Sequence, residues 1–244
     1  MATMRWAPDT KWERMSLTMQ TVAGPAGQVA RIWTARCERP ADFSSIASFT
    51  PGIGFARIGG TTIANIRGPA TRATTLSCPE GAEYFGVDFR VGAYLPMIPF
   101  APLMNLHQAA LPTLTGGRIL IDGRAWELPT PQNLDVFVAR LERSGLLVFD
   151  PLVEELRHDG GAVRSVAERT AQSRFLRAVG LSRRALRLIE RTRDAARLLR
   201  AGTAIADVVA ATGFYDQPQL TRAVRRLIGH TPAELRRGGV FLDL

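Results

Sequence analysis

The sequence has 244 residues, of which 46% are hydrophobic and 22% are charged, and its formal net charge is +9. This composition is typical of a globular protein with one large domain or two smaller ones. No apolar run reaches the ~18 residues of a transmembrane helix, and the N-terminus has no signal-peptide segment. We therefore expect a cytoplasmic protein. Residues 1–14 show no periodic pattern and predict an irregular leader, with Met15 and Met19 as alternative start residues.

The positive charge is concentrated in the C-terminal part. Residues 151–244 hold 17 Arg and no Lys against 10 acidic residues, whereas residues 1–150 hold 14 basic and 12 acidic residues. Such a surface could bind a polyanion. Binding to an anionic membrane, or a contribution of the charge to solubility alone, would also explain it. The only lysine, Lys11, has no glycine-rich loop beside it. A P-loop is thus excluded, and lysine-based covalent catalysis is not expected.

Residue types that carry catalysis or bind metals are scarce. The three histidines are scattered, so we expect no metal site and no cofactor. No GxSxG, HExxH or EF-hand motif occurs, and the chain is not expected to be an enzyme. Cys37 and Cys78 lie 41 positions apart without a CxxC pattern, and we interpret them as thiols rather than as a disulfide.

The N-terminal part predicts an antiparallel β-rich domain. From about Val29 to Leu120, short apolar or alternating runs are separated by Gly and Pro, as in compact β proteins. Gly59-Gly60 and Asp122-Gly123 each lie between two such runs and predict hairpin turns. Residues 84–89 predict a strand, and the three prolines within residues 92–102 predict a loop.

Beyond Pro131 the pattern becomes helical. The apolar residues at helical spacing are Leu134, Phe137, Val138 and Leu141. Asp150 is the predicted N-cap of a further helix that has Pro151 at its first position. We place a domain boundary near residue 150, between a β-rich domain for sensing or dimerisation (1–150) and a helical domain (151–244).

Two helices around a glycine turn are predicted at residues 205–228. A helix of about 20 residues, capped by Ser182 and Gly202, precedes them. The first of the pair ends at Thr212-Gly213-Phe214, and Asp216 is the predicted N-cap of the second. The apolar stripe of the second helix is Leu220, Val224, Leu227 and Ile228. This arrangement is a helix-turn-helix.

These residues resemble the AraC/XylS family of bacterial transcription regulators through the run GFYDQPQLTRAVRRLIGHTPAELR. The resemblance implies two helix-turn-helix units joined by a long helix, which would place them about 34 Å apart, one turn of DNA. Arg and Gln match guanine and adenine edges in the major groove, so Gln217, Gln219 and Arg222 are the predicted base-reading residues. The predicted phosphate contacts are Thr221, Arg225, Arg226, Arg236 and Arg237.

The first unit departs from the family pattern. Residues 166–177, VAERTAQSRFLR, resemble the first reading helix, which implies base contacts from Arg169, Gln172 and Ser173. Ala171 stands where the family usually has leucine, and only one short helix precedes this segment. We predict that the first unit is degenerate and poorly supported, and that the second unit does most of the base reading.

The N-terminal runs RGPAT and YFGVDFRVGAYLP resemble the cupin-like domain of a subset of the same family. This resemblance implies a β barrel whose interior can hold a small ligand. The candidate pocket walls are Trp33, Tyr84, Phe89 and Trp126, because aromatic side chains supply a large contact area.

Together these features predict an α+β protein that regulates transcription by binding DNA. The predicted partners are double-stranded DNA, a small-molecule effector, a second copy of the chain in a homodimer, and RNA polymerase if the protein activates; no membrane partner is expected. The alternative is a ligand-binding or enzymatic β-barrel protein whose helical tail contacts protein partners. DNA binding with a steep salt dependence would decide against that alternative.

Overall fold

The structure is a computed structural model that describes residues 17–24, 27–106, 109–158 and 166–238. The predicted leader, residues 1–14, lies outside the described residues. Within them, an antiparallel β-rich part precedes a helical part, which confirms the predicted α+β fold. No helix in these ranges is long and apolar enough to cross a lipid bilayer.

The N-terminal part contains short antiparallel strands. They are β1 (Leu17–Ala23), β2 (Val29–Cys37), β3 (Ala41–Ser45), β4 (Gly52–Ile58), β5 (Thr61–Arg67), β6 (Thr74–Cys78), β7 (Glu83–Phe89), β8 (Ala93–Tyr94), β9 (Ala109–Ala110), β10 (Thr113–Leu114), β11 (Arg118–Ile121), β12 (Arg124–Glu127) and β13 (Val148–Phe149). The largest sheet has the order β1-β2-β7-β4-β5-β9, and β3 pairs with β6. Both predicted hairpins are confirmed, with positive φ at Gly59, Gly60, Asp122 and Gly123.

The two faces of the main sheet differ in chemistry because side chains alternate along each strand. Phe85, Val87 and Phe89 of β7 belong to the main hydrophobic core. Tyr84, Gly86 and Asp88 occupy the opposite face, where Asp88 stands across from Arg31 of β2 and Gly52 of β4. The predicted loop at residues 92–102 is mostly irregular, with β8 and a 3-10 turn at Ala101–Leu103 as its regular parts.

The interpretation of the cysteines as thiols is wrong. Cys37, at the end of β2, and Cys78, at the end of β6, form a disulfide, with their Cα atoms 6.3 Å apart. Both residues are buried in a small cluster with Leu17 and Ala82. Their separation in the sequence could not reveal the pairing, because it depends on how two different sheets come together.

The helices are α1 (Leu134–Arg143), α2 (Pro151–His158), α3 (Glu168–Val179), α4 (Arg183–Arg200), α5 (Ile205–Thr212), α6 (Gln217–Ile228) and α7 (Pro232–Arg237). The apolar face of α1 joins the main core of the β-rich part. In the helical part, α4 is the scaffold, since α5, α6 and α7 all pack on it. Its predicted N-cap is confirmed, because the Ser182 hydroxyl accepts a hydrogen bond from the Ala185 N–H at 3.2 Å.

The β-rich and helical parts are in direct contact. Ile46, between β3 and β4, is buried in the same cluster as Val224 and Ile228 of α6. The N–H groups of Ala47 and Ala73 donate hydrogen bonds to carbonyls in the last turn of α6, at 2.7 and 2.8 Å. Loops of the β-rich part therefore hold the C-terminal end of α6.

Candidate nucleic-acid interface

The turn between α5 and α6 fixes the start of α6. Gly213 adopts φ +68°, a left-handed conformation that glycine accepts without strain. The Asp216 carboxylate accepts a 2.7 Å hydrogen bond from the Gln219 N–H, which confirms the predicted N-cap. From α4, Arg191 donates to the Gly213 carbonyl at 3.0 Å and lies 4.3 Å from the centre of the Phe214 ring. The scaffold helix thus holds the turn directly.

The α6 helix is strongly amphipathic. Its buried residues are Leu220, Val224, Leu227 and Ile228, as predicted. Arg222 lies two positions from both Leu220 and Val224, about half a turn of helix away from each. It is exposed at the centre of the opposite face, with Arg225 and Arg226 on either side. This face can present guanidinium groups to a partner without disturbing the core.

The two glutamines of α6 differ in their surroundings. Gln217 is exposed in the first turn, beside the half-buried Thr221. Gln219 is also exposed, but its side-chain carbonyl accepts a 2.9 Å hydrogen bond from the Tyr215 N–H. A bidentate contact with adenine needs both the oxygen and the nitrogen of an amide. In this conformation the amide nitrogen of Gln219 is available for base contacts, while its oxygen is bonded to the N–H of Tyr215, just before the N-cap.

Residues beyond α6 add further positive charge to the helical part. Arg236 and Arg237 are exposed in the last turn of α7. The start of that helix is fixed by a capping box, in which Thr231 and Glu234 exchange hydrogen bonds of 3.2 and 2.7 Å. The hydrogen bond from the Thr231 backbone holds the pKa of Glu234 below its ordinary value. The capping box fixes the start of α7, and this short helix in turn sets the positions of Arg236 and Arg237.

The α3 helix repeats the burial pattern of α6. Its buried residues are Ala171, Phe175, Ala178 and Val179. They are spaced like those of α6, and each helix ends at a glycine with positive φ, Gly180 or Gly229. The predicted base-reading residues Arg169, Gln172 and Ser173 are exposed, and Gln172 also donates a 3.0 Å hydrogen bond to Glu168. The two units therefore share the spacing of their buried residues and the glycine at the helix end, but their exposed side chains differ.

The prediction that α3 is poorly supported is wrong. Leu152, Val153 and Leu156 of α2 share a core with the buried side of α3, and Ala47, Phe49 and Val91 of the β-rich part complete it. Arg174 binds the Asp150 carboxylate through two hydrogen bonds of 2.5 and 2.7 Å. Asp150 also accepts a 3.1 Å hydrogen bond from the Leu152 N–H at the start of α2. The β-rich part supplies the packing that further helices would otherwise provide.

A concave cleft separates α3 from α6. It has a volume of about 1090 Å³, and Gln172 of α3 and Gln219 of α6 both line it. Between them, the N-terminal half of α4 contributes four arginines, Arg183, Arg184, Arg187 and Arg191. Sequence reasoning missed this set because the arginines were not part of either predicted reading helix. It also missed Tyr215, which is 90% exposed and immediately precedes the N-cap of α6.

The four aromatic residues predicted as pocket walls lie on different faces. Phe89 and Trp126 are buried in the main core with α1. Trp33 and Tyr84 occupy the opposite face of the main sheet, and burial raises the pKa of Tyr84. The structure therefore brings Trp33 and Tyr84 to one side and Phe89 and Trp126 to the other.

A charged cluster surrounds Trp33. Arg31 donates to the nearly buried Asp88 carboxylate at 2.5 Å, Arg67 binds the same carboxylate, and the indole N–H of Trp33 donates to it at 3.3 Å. The Arg67 guanidinium also lies over the Trp33 ring, 4.8 Å from its centre. Burial alone would raise the pKa of Asp88, but Arg67 and Arg31 lower it by more, so this pKa lies below its ordinary value. The cluster carries more positive than negative charge.

The helical part has the architecture of a helix-turn-helix DNA-binding domain. Residues 162–238 match a protein-family model described as a helix-turn-helix domain. The match includes α3, α4 and α6, and it supports a DNA-binding function for this part of the chain. Comparisons with curated proteins and with solved structures gave no match.

Proposed function

We propose that this protein is a sequence-specific DNA-binding transcription regulator of the AraC/XylS type. The observation that carries the proposal is the exposed face of α6, centred on Arg222, in a segment that matches a helix-turn-helix family model. This face has the size and the donor groups that the major groove of B-DNA accommodates. The net positive charge of residues 151–244 supplies the sequence-independent part of the affinity.

In this proposal α6 enters a major groove. Arg222 reads a guanine in bidentate fashion, Gln217 contacts a neighbouring base, and Gln219 contributes its amide nitrogen. Arg225 and Arg226 flank Arg222 and bind phosphates, together with Arg236 and Arg237 from α7. The predicted contact of Thr221 with a phosphate completes the set.

The α3 helix enters the adjacent major groove with Arg169, Gln172 and Ser173. Its packing against α2 and the β-rich part, together with the Arg174–Asp150 pair, gives it a fixed orientation. Ser173 takes the place on α3 that Arg222 has on α6, midway around the helix from the buried residues. A serine reaches less far and discriminates less than an arginine, so the first unit adds a weaker sequence preference.

We further propose that the β-rich part controls the DNA-binding part. The hydrogen bonds from Ala47 and Ala73 to the end of α6 offer a direct route, because a shift of either loop would move the reading helix. The cluster of Arg31, Arg67, Asp88 and Trp33 supports small-molecule control, since it gathers charge and an aromatic ring on one sheet face. A cupin-like barrel, a homodimer through this part, and contact with RNA polymerase if the protein activates all stay predictions.

Salt-dependent binding of the whole chain to DNA tests the proposed function. A labelled random-sequence duplex would be titrated at several salt concentrations, with fluorescence anisotropy as the readout. A protein that contacts 6 to 10 phosphates loses about 10³ to 10⁵ in affinity between 50 and 200 mM salt. Binding with such a slope supports the proposal, and absence of binding at low salt contradicts it. In that case the ligand-binding or enzymatic alternative gains support.

A further inference from the structure

The arginines of α4 form a basic surface that the proposed base-reading and phosphate contacts do not use. The cleft between α3 and α6 is lined on α4 by Arg183, Arg184, Arg187 and Arg191, and none of the described residues that line it is acidic. A neighbouring concave surface farther along α4 is lined by Glu190 and Asp194 as well as by arginines. The cleft between the two reading helices is therefore the more purely cationic of the two surfaces.

The position of the cleft relates it to DNA. Its opposite walls carry Gln172 of α3 and Gln219 of α6, one predicted base-reading residue from each unit. If these two helices enter successive major grooves on one side of a duplex, the DNA between them faces the cleft. That stretch presents the minor groove with a phosphate backbone on each side. The cationic floor of the cleft then lies opposite the phosphates that border the minor groove.

The four arginines differ in exposure, since Arg183 and Arg191 are half-buried whereas Arg184 and Arg187 are exposed. Arg191 holds the turn before α6 through the Gly213 carbonyl and the Phe214 ring. Arg183 is only 17% exposed and lies 3.8 Å from Glu168 of α3. Arg184 and Arg187 are exposed and lie three positions apart, on one side of the first turns of α4. These two side chains can extend from the floor of the cleft toward a ligand.

We infer that Arg184 and Arg187 form a third DNA contact, which binds the phosphates bordering the minor groove between the two reading helices. This inference rests on the proposed function and deepens it. The contact is to phosphate and not to bases, so it raises affinity for every sequence alike. It also fixes the position of the duplex over α4, so that α3 and α6 meet successive grooves even though α3 reads its groove weakly.

The test compares two double variants of the whole chain that remove the same charge. Arg184→Ala/Arg187→Ala removes the proposed contact. Arg143→Ala/Arg197→Ala is the matched control, because Arg143 lies on α1 and Arg197 is in the last turn of α4, where it pairs with Asp194 at 2.5 Å. Binding to a random-sequence duplex of about 30 bp, long enough for two successive major grooves, is measured against salt concentration.

Loss of two phosphate contacts should reduce the magnitude of the slope of log K against log salt by about 1.8. We expect the Arg184/Arg187 variant to show this change and to lose at least tenfold in affinity at low salt, while the control stays within about twofold of the wild type. A further variant, Arg184→Lys/Arg187→Lys, keeps both charges and should retain most of the slope. Unchanged melting temperatures show that the variants are folded.

The result that overturns the inference is an Arg184/Arg187 variant with the slope and affinity of the control. If the wild type itself binds DNA without a steep salt dependence, the result contradicts the proposed function and not only the third contact. If the wild type binds steeply and the two double variants behave alike, only the third contact is wrong. A change confined to selected sequences would show base reading by these arginines, which also contradicts the inference.

Discussion

The N–H of Ala47 donates a 2.7 Å hydrogen bond to the carbonyl oxygen of Leu227 in the last turn of α6. The last carbonyls of a helix have no partners within the helix, and they need a cap from elsewhere. Ala73 caps Arg226 in the same way. The C-terminal end of α6 is thus capped by two loops of the β-rich part.

Removing the buried side chain beside this contact should loosen α6. Ile46 is 8% exposed, and the substitution Ile46→Ala leaves a cavity next to Val224 and Ile228. We expect a loss of about 2 to 4 kcal/mol in the free energy of unfolding, measured by urea denaturation. Faster hydrogen exchange in the last turn of α6 should accompany it. The control is Ile58→Ala at a 38% exposed position, and an equal loss in both variants would contradict the coupling.

Arg222 and Arg226 should have different effects on DNA recognition. Arg222→Ala removes the proposed base contact and should cost about 1 to 3 kcal/mol on the preferred site while relaxing the preference at one base pair. Arg226→Ala removes a proposed phosphate contact and should weaken all sequences alike, with a smaller salt slope. Competition binding with single-base variants of the site distinguishes the two. Equal, sequence-independent losses would refute the base-reading role of Arg222.

The Arg174–Asp150 pair should matter for the first unit. Asp150→Asn weakens the two hydrogen bonds to Arg174 and the cap of α2, so we expect α3 to lose its fixed orientation. The stability cost should be about 1 to 3 kcal/mol, and a DNA footprint should shrink toward the groove bound by α6. Asp194→Asn, in an exposed pair with Arg197, is the matched control. A full-length footprint from Asp150→Asn would show that the pair is dispensable.

The charged cluster of the β-rich part should make stability depend on acid pH. The pKa of Asp88 lies below its ordinary value of 3.8, so its pairing with arginine stabilises the fold fully above about pH 4 and is lost as the pH falls through the lowered pKa. Asp88→Asn should lower the free energy of unfolding by about 2 kcal/mol at neutral pH. The loss is moderate because Arg31 and Arg67 are partly exposed and water can solvate their charges.

In thermal melts, Asp88→Asn should also show a flatter dependence on pH below 4 than the wild type. Glu83→Gln is the control, since Glu83 is only half-buried and pairs with Arg36 and Arg57. Parallel acid profiles for Asp88→Asn and the wild type would show that another carboxyl governs this range.

Local structure was predictable because its signals are local. Asp216 caps α6 as predicted, and the apolar spacing of Leu134, Phe137, Val138 and Leu141 gave the buried face of α1. The glycine pair at residues 59–60 made a hairpin because its positive φ angles suit a tight turn. Such features depend on a few neighbouring residues, and no tertiary contact overrode them.

Tertiary relationships were missed because they join distant segments. Nothing near Phe49 or Val91 indicates that they complete the core beneath α3, and nothing near Cys37 points to Cys78. The exposed faces of α3 and α6 could be predicted from the spacing of apolar residues along the sequence. The arginine-lined cleft could not, because it depends on the position of α4 between the two helices. Which exposed residues read bases stays a prediction, since burial patterns locate a face and do not identify its ligand.

Selection of bound sites from random DNA by the whole chain tests the central claim most directly. We predict one strongly preferred half-site, read by α6, and a weaker one about 10 bp away, read by α3. The strong half-site should lose its preference at one position in the Arg222→Ala variant and keep it in the Arg226→Ala variant. Recovery of sequences with no shared half-site would contradict sequence-specific DNA binding by this protein.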